Sequence, residues 1–284
     1  MPSTARTTDA DLVAPIVLGV AGTAAAVANS LSPRMMRAAF EALELEAFYV
    51  PLALRERSAA KGLRALPRLG FRGCNVTMPY KLLAAQVAHT RSPLVERTGV
   101  ANTLIVGDDG TIHADATDGI AVAGAIADRG VSLEGGRVVV VGAGGAAMEA
   151  AVACIDAGAV RIDIWNRTRS NGEQLADRLR IVAPALDLQV HDRMPIREPA
   201  HVLLGCVPAD AIDPRALSQL HEDTLVVDLA YRRDGRPTPM MVAVSNRPER
   251  GVDGRELLVR QGAASFQAWF GVEAPIEVMT SAVR

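Results

Sequence analysis

Lys81 closes the segment Asn75-Val76-Thr77-Met78-Pro79-Tyr80-Lys81, in which it is the sole charge. Pro79 ends an extended stretch, because its ring fixes φ and removes a backbone donor. It also pushes Met78 toward extended backbone. Asn75 to Thr77 is therefore expected to end a strand, with Lys81 in the turn beyond it or in the first turn of a helix. Ligands of α/β sheets bind at the carboxyl ends of strands, so a lysine there can carry a proton. Taken alone, a lysine is usually a solvated surface residue, and an Asp before Gly, as in Thr117-Asp118-Gly119, is an ordinary turn. Lys81, Asp118 and Asn102 together offer a cation, a carboxylate and an amide, which suits a polyol substrate and a proton transfer. Asp118 also falls near an expected domain junction, where clefts form.

A source of hydride is suggested further along. Gly142-x-Gly144-x-x-Ala147 matches the dinucleotide pattern G-x-G-x-x-G/A. The first Gly makes the tight turn, the second lets the backbone approach a pyrophosphate, and the small third residue lets helix and strand pack closely. The helix that follows presents free N–H groups and a positive dipole end to phosphate. The next strand ends at Trp165, followed by Asn166-Arg167-Thr168. An Arg where an acid would otherwise hold the ribose suits a 2′-phosphate, through bidentate charge-assisted bonds. NADP is favoured over NAD. Asp163, the nearest acid, lies inside the strand, where a paired structural role is open to it. Ser30 and Ser32 flank Leu31 before a helix. In extended backbone they would share a face and make a carboxylate site, although Ser32 also reads as a simple N-cap. Tyr231 and Gln261 are further polar candidates.

The elements needed to position these groups are legible in outline. The first half alternates strands (Ala14 to Val20, Phe48 to Leu52, Leu104 to Val106) with a helix from Pro33 to Leu43, whose Met36, Phe40 and Leu43 recur at helical spacing. In the second half, Arg137 to Val141 is a continuous β-branched run of the kind buried on both faces of a parallel sheet. An Ala-rich helix to about Ala157, a strand Val160 to Trp165, a helix around Glu173 to Leu179, and strands His201 to Leu204 and Leu225 to Leu229 follow. This alternation implies a doubly wound parallel sheet. The fold class is α/β with two domains: an N-terminal α/β substrate domain over 1–120 and a dinucleotide-binding domain of Rossmann type over 121–257, with a cleft between. Residues 1–12 read as a disordered tail. The C-terminal stretch from Gly254 to Gly271 is expected to be helical, and 258–284 to pack back on the first domain.

Composition narrows the class of function. The chain has 284 residues, 49% of them hydrophobic but only 4% aromatic, so its cores are built from Ala, Val, Leu and Ile. A formal net charge of −2 with no basic stripe argues against nucleic acid. Cys74, Cys154 and Cys206 are odd in number and far apart, which reads as reduced core thiols of a cytoplasmic protein. His89, His113, His191, His201 and His221 lack metal-ligand spacing. No apolar run approaches the ~20 residues of a membrane-spanning helix, and no secretory signal is expected. The expected partner is a small molecule, and a homodimer is left open.

The order of these motifs resembles the shikimate dehydrogenase family over nearly the whole chain, from Ser30 to Gly271. The resemblance is carried by Ser30-Leu31-Ser32-Pro33, Asn75 to Lys81, Asn102-Thr103, Thr117-Asp118-Gly119, the glycine loop with Asn166-Arg167-Thr168, and Gln261 with Ser265-Phe266. It implies NADP-linked reversible reduction of 3-dehydroshikimate to shikimate, a step toward aromatic amino acids. By matching motif it implies Lys81 and Asp118 as the catalytic pair. Ser30 and Ser32 would hold the substrate carboxylate, with Thr77, Asn102, Thr117, Tyr231 and Gln261 around the ring. Gly142, Ala143, Gly144, Gly145, Ala146, Asn166, Arg167 and Thr168 would hold the cofactor. The chain departs from the family pattern in several places. Ala116 precedes Thr117, Asn29 replaces a His, and the loop Gly19 to Ala28 is longer and alanine-rich. Arg169 and then Asn171 follow Arg167, and Gly205-Cys206-Val207-Pro208 replaces Asn-Ala-Thr-Pro beside the nicotinamide. These changes leave open a quinate or other cyclic hydroxy-acid dehydrogenase using NAD or NADP. A non-catalytic nucleotide-binding regulator is the alternative of another class.

Overall fold

The Val-rich run Arg137–Val141 is buried along its whole length and forms β7 in a wholly parallel sheet. The structure, a computed structural model, describes residues 15–284. The tail expected over 1–12 therefore lies outside the described residues.

The first sheet comprises β1 (Ile16–Gly22), β2 (Ala47–Ala53), β3 (Phe71–Val76), β4 (Thr90–Arg91), β5 (Thr103–Val106) and β6 (Ile112–Asp115), in the order β2-β1-β3-β5-β6-β4. β1 runs parallel to both β2 and β3, and β5 runs antiparallel to β3 and β6. Mixed direction has a consequence for function. The ends of β3 and β6 and the start of β5 all fall on one edge of the sheet, which brings residues just after Val76, just before Thr103 and just after Asp115 together.

The second sheet comprises β7, β8 (Arg161–Trp165), β9 (Asp187–His191), β10 (Val202–Gly205), β11 (Leu225–Asp228) and β12 (Gly251–Val252), in the order β12-β11-β10-β7-β8-β9. Every pairing in it is parallel. This is the doubly wound order, and its direction of winding reverses between β7 and β10, where such sheets bind dinucleotides.

The two domains share two helices. Asp118–Asp128 runs unbroken through the boundary expected between residues 120 and 121, and its Ala121, Val122, Ala125 and Ile126 join the core of the second sheet. The first residue of that helix faces the first domain, so one element serves both. The chain returns through Gly254–Phe270 and Ile276–Val283. Val259, Phe266, Trp269, Met279 and Val283 complete the core that covers β1 with the helix Ser32–Ala42. Phe266 and Phe270 pack at 4.6 Å between ring centroids, with Phe40 beside them. Trp269 lies over Gly73 of β3, where any side chain would strike its indole, and its Nε1–H donates to Leu104 O at 3.0 Å.

The short strands β4, β6, β9 and β12 were not among those expected. No helix of the described residues is long and apolar enough to cross a membrane. The three cysteines are free; Cys74 and Cys154 are buried, and Cys206, partly buried, packs on the core of the second sheet and also lines the cleft.

Candidate active site

β3 ends at Val76, and the chain turns through Thr77 to Tyr80 into the helix Lys81–Val87. Lys81 is the first residue of that helix and only 7% exposed, so the solvated-lysine reading does not hold. Its backbone carbonyl accepts from Ala101 N at 3.0 Å, which ties the helix start to the strand edge carrying Asn102. The stem of Lys81 lies against the glycine loop of the second domain. A Cβ on Gly145 would sit 3.1 Å from Lys81 Cβ, so this glycine keeps the lysine and the dinucleotide loop in close contact.

The ammonium of Lys81 donates to Asp118 Oδ2. Asn102 Nδ2 donates to Asp118 Oδ1 at 2.7 Å, and Asn102 Oδ1 accepts from Thr117 N at 2.8 Å. Both carboxylate oxygens of Asp118 are thus held. A second carboxylate was not expected here. Glu149, on the helix Gly145–Asp156 of the dinucleotide domain, is fully buried, with Oε1 3.4 Å from Lys81 Nζ and Oε2 accepting from Asp118 N at 3.2 Å. Its sequence setting, an Ala-rich helix, carries no signal of this; only the packing of that helix against Asp118–Asp128 does.

Burial pulls the Lys81 ammonium down, but Asp118 and Glu149 outweigh it and hold the group well above the ordinary lysine range. Lys81 is therefore a firmly protonated cation here. Two carboxylates act on it, where the sequence offered Asp118 alone.

Lys81, Asp118 and Asn102 line a cavity of about 630 Å³ shared by both domains. Ser30, Ser32, Thr77, Tyr231 and Gln261 also line it. The two serines converge for a reason other than the one expected. Leu31 has turn-like backbone (φ −85°, ψ −10°), so the serines do not alternate on an extended strand. Nor does Ser32 cap the helix: it lies within the first turn, and its N–H is accepted by Ser30 Oγ at 3.2 Å. Tyr231 OH accepts from Leu31 N at 3.1 Å, joining the β11 loop to the serine turn. Asp228 fixes that loop by accepting from Thr238 Oγ1 at 2.5 Å and from Ala230 N at 3.0 Å. Gln261 donates to Leu258 O at 2.8 Å and reaches the cavity from the returning helix. Thr117 stands elsewhere: it is 1% exposed and lies behind Asn102, whose Nδ2 donates to Thr117 Oγ1 at 2.9 Å.

A network missed in the sequence underpins this wall. Asn75 accepts from Tyr49 OH at 2.7 Å and donates to Ser265 Oγ at 2.9 Å and to Thr103 Oγ1 at 3.1 Å. It couples the end of β3 to the returning helix. Tyr49 on β2 and Asn75 on β3 are 26 residues apart, a pairing that only the sheet order brings about.

The glycine loop, expected to hold the cofactor, lies at the reversal between β7 and β10. Gly142 adopts φ +113°, a conformation that favours glycine, and a Cβ on it would meet Cys206 O at 2.6 Å. A Cβ on Gly144 would meet open space, so a ligand can approach the backbone there. The first intrahelical bond runs from Met148 N to Gly144 O at 3.1 Å, which leaves the N–H groups of Gly144, Gly145, Ala146 and Ala147 without helical partners. Ala143 packs on the core of the second sheet. This open backbone with its free donors fits a dinucleotide pyrophosphate.

Beyond β8, Asn166 Nδ2 donates to Thr168 O at 2.8 Å and shapes the turn that exposes Arg167 and Thr168. Arg169 is committed to Glu173 at 2.9 Å and Asp192 at 2.6 Å. Asp163 is wholly buried and bonded to Arg137 Nε at 2.5 Å and His191 Nε2 at 2.6 Å, a structural pair within the sheet.

A doubly wound dinucleotide domain facing a buried lysine–carboxylate pair defines a two-domain oxidoreductase that uses a nicotinamide dinucleotide. Comparison with known proteins takes this further. Residues 23–104 match the shikimate dehydrogenase substrate binding domain, 124–238 match shikimate / quinate 5-dehydrogenase, and 254–284 match the shikimate 5'-dehydrogenase C-terminal domain. A shikimate dehydrogenase (NADP(+)) of Caulobacter vibrioides is 36% identical over 282 residues, covering 94% of each chain. That of Dinoroseobacter shibae is 34% identical over 257 residues, covering 88% of this chain and 91% of the relative. Among solved structures, the shikimate 5-dehydrogenase of Thermus thermophilus in complex with NADP(H) and shikimate has a TM-score of 0.78 at 28% identity, over 95% of this chain and 98% of that one. The chain belongs to the shikimate dehydrogenase family.

Proposed function

We propose that this protein catalyses the reversible, NADP-linked reduction of 3-dehydroshikimate to shikimate. The observation that carries this reading is the convergence of Lys81, Asp118 and Asn102 with Ser30 and Ser32 in one cavity beside the glycine loop. The relatives' names support the same substrate and cofactor.

When bound, the cofactor supplies hydride to the ring carbonyl carbon. The chain's own residues do the rest. Ser30 and Ser32 hold the substrate carboxylate and so fix the ring's orientation. Asn102, Thr77, Gln261 and Tyr231 face the ring hydroxyls, and Thr117 keeps the Asn102 amide in one orientation. Lys81 Nζ donates its proton to the carbonyl oxygen as negative charge develops there, which leaves a neutral amine; in the reverse direction it is this neutral amine, after the ammonium has lost a proton to solvent, that accepts the hydroxyl proton. Asp118 orients Nζ and accepts from the substrate hydroxyl. Val122, Leu229 and Leu257 line the cavity beside the polar groups.

Arg167 and Thr168 are assigned to the 2′-phosphate. Arg167→Ala is expected to raise KM for NADP by about 10- to 100-fold, as loss of charge-assisted hydrogen bonds worth about 1.5–3 kcal/mol implies, and to leave KM for NAD within about twofold. Steady-state kinetics with each cofactor check this; an equal loss with both would remove the phosphate assignment.

A second reading rests on the cavity mouth. Cys206-Val207-Pro208 line it, where the family pattern has Ala-Thr-Pro, beside Arg232 and Arg236, which are paired with Asp210 and Asp234; this altered wall leaves a different cyclic hydroxy acid such as quinate as the second reading. Initial rates with shikimate and quinate, each with NADP and NAD, separate the readings. Expected is the fastest turnover with shikimate and NADP. Faster turnover of quinate supports the second reading, and tight binding of nucleotide and ligand without hydride transfer would turn the protein into a regulator.

A further inference from the structure

Glu149 is unused by the chemistry set out above, yet it touches both members of the proton-transfer pair. It belongs to the dinucleotide domain, and its two oxygens divide between Lys81 Nζ at 3.4 Å and the backbone N–H of Asp118 at 3.2 Å. Among the described residues its carboxylate has no side-chain hydrogen-bond partner apart from Lys81 and the Asp118 N–H, and a fully buried carboxylate is costly to maintain for structure alone. The titratable groups facing it are Lys81 and Asp118. The thiols of Cys154, on its own helix, and Cys206, after β10, lie beyond, and burial pushes both upward so that they stay protonated.

We propose that Glu149 is a positioning residue of the proton-transfer centre: it holds Lys81 against Asp118 from the dinucleotide side, and loss of its own proton weakens Lys81 as an acid. The inference rests on the ring-ketone reductase reading. Charge counting explains the second half. With Lys81 an ammonium and Asp118 a carboxylate, a protonated Glu149 leaves the buried cluster neutral. An ionised Glu149 leaves one excess negative charge close to Nζ, and a lysine so placed gives up its proton less readily. Burial, reinforced by Asp118 and opposed by Lys81, pushes the Glu149 carboxyl up to about 8. Its ionisation therefore falls where enzymes are assayed, well below the titration of Lys81 itself.

The test is the pH dependence of kcat for reduction of 3-dehydroshikimate by NADPH, in wild type and in Glu149→Gln. Wild type is expected to lose rate as pH rises through about 8. In Glu149→Gln that limb should move up by about one pH unit or more, because glutamine cannot ionise and the remaining limb is that of Lys81. A limb that stays in place or moves down overturns the proposal: it would then belong to Lys81, which has lost a neighbouring carboxylate. Thermal unfolding supplies a readout that needs no turnover. The folded-state value of Glu149 is raised from 4.5 to about 8, so its contribution to stability is fully present below the unfolded value and is lost as pH rises through the folded one. The Tm of wild type should fall relative to Glu149→Gln across that window, and parallel Tm curves would overturn the proposal. Glu149→Met, which also cannot ionise, carries both expectations if the glutamine variant folds poorly. Should wild type reduce no ring ketone, the functional reading fails, while the Tm comparison still decides whether Glu149 ionises in this range.

Discussion

Lys81→Ala is expected to lower kcat by roughly 10²–10⁴-fold, the usual share of a positioned acid–base group, with little change in KM for the dinucleotide. The geometry explains both halves. Lys81 heads its helix at the end of β3, and its ammonium is fixed by Asp118 within the shared cavity. Glu149 lies behind it and not on the cavity wall, so it cannot replace the lysine at the substrate oxygen. The free N–H groups of the glycine loop are untouched by the substitution. Removing the cation also leaves Asp118 and Glu149 as neighbouring carboxylates, so the variant's folding is to be checked by thermal melting. Lys81→Arg is not expected to restore the rate, because a guanidinium is larger and does not give up its proton in proteins. Near-normal kcat in Lys81→Ala, with a normal melt, would remove the lysine from the chemistry.

Asp163→Ala is expected to have the largest effect on stability and almost none on cofactor choice. Asp163 sits inside β8 and accepts from Arg137, Arg161 and His191. Burial raises its carboxyl, but bonds from His191, Arg137 and Arg161 outweigh this and hold it below the usual range. Breaking a buried pair by removing one partner costs about 3–5 kcal/mol. Arg137 would keep bonds to the carbonyls of Glu198 at 2.7 Å, Pro195 at 2.9 Å and Pro199 at 3.1 Å, so a loss of about 3 kcal/mol is expected, or roughly 6–12 °C in Tm. The sign with pH follows from the lowered value. The contribution of Asp163 is present above the unfolded carboxylate range and fades as pH falls through its depressed folded value, so the gap between wild type and variant should close in acid. An unchanged Tm, or a shift in the preference between NADP and NAD, would contradict the structural role.

These two cases show what the sequence conveyed and where it stopped. Lys81, Asn102 and Asp118 were legible because Pro79, the strand edge and the glycine turn leave local signals. The glycine loop was legible because its strand and helix neighbours are strongly patterned. Glu149 was not legible: a lone Glu in an alanine-rich helix reads as a solvent-facing charge, and only the docking of that helix on Asp118–Asp128 buries it. The serine turn was half legible. Both serines line the cavity, but Leu31 bends the backbone, and it is Ser30 Oγ that accepts a backbone N–H at the helix start. β9 was missed because Asp187-Leu188-Gln189-Val190-His191 is an edge strand with polar alternation, short enough to read as loop. The boundary expected between residues 120 and 121 falls inside the helix Asp118–Asp128, which carries the carboxylate paired with Lys81 at its start and second-domain core residues along its length.

The most direct measurement is the initial rate of NADPH formation from shikimate and NADP by wild type, run beside Lys81→Ala under the same conditions. Steady formation by wild type and a rate lower by roughly two to four orders of magnitude in the variant are expected. No NADPH from wild type, or comparable rates from both proteins, would contradict the assignment of Lys81 as the proton carrier of a shikimate-oxidising centre.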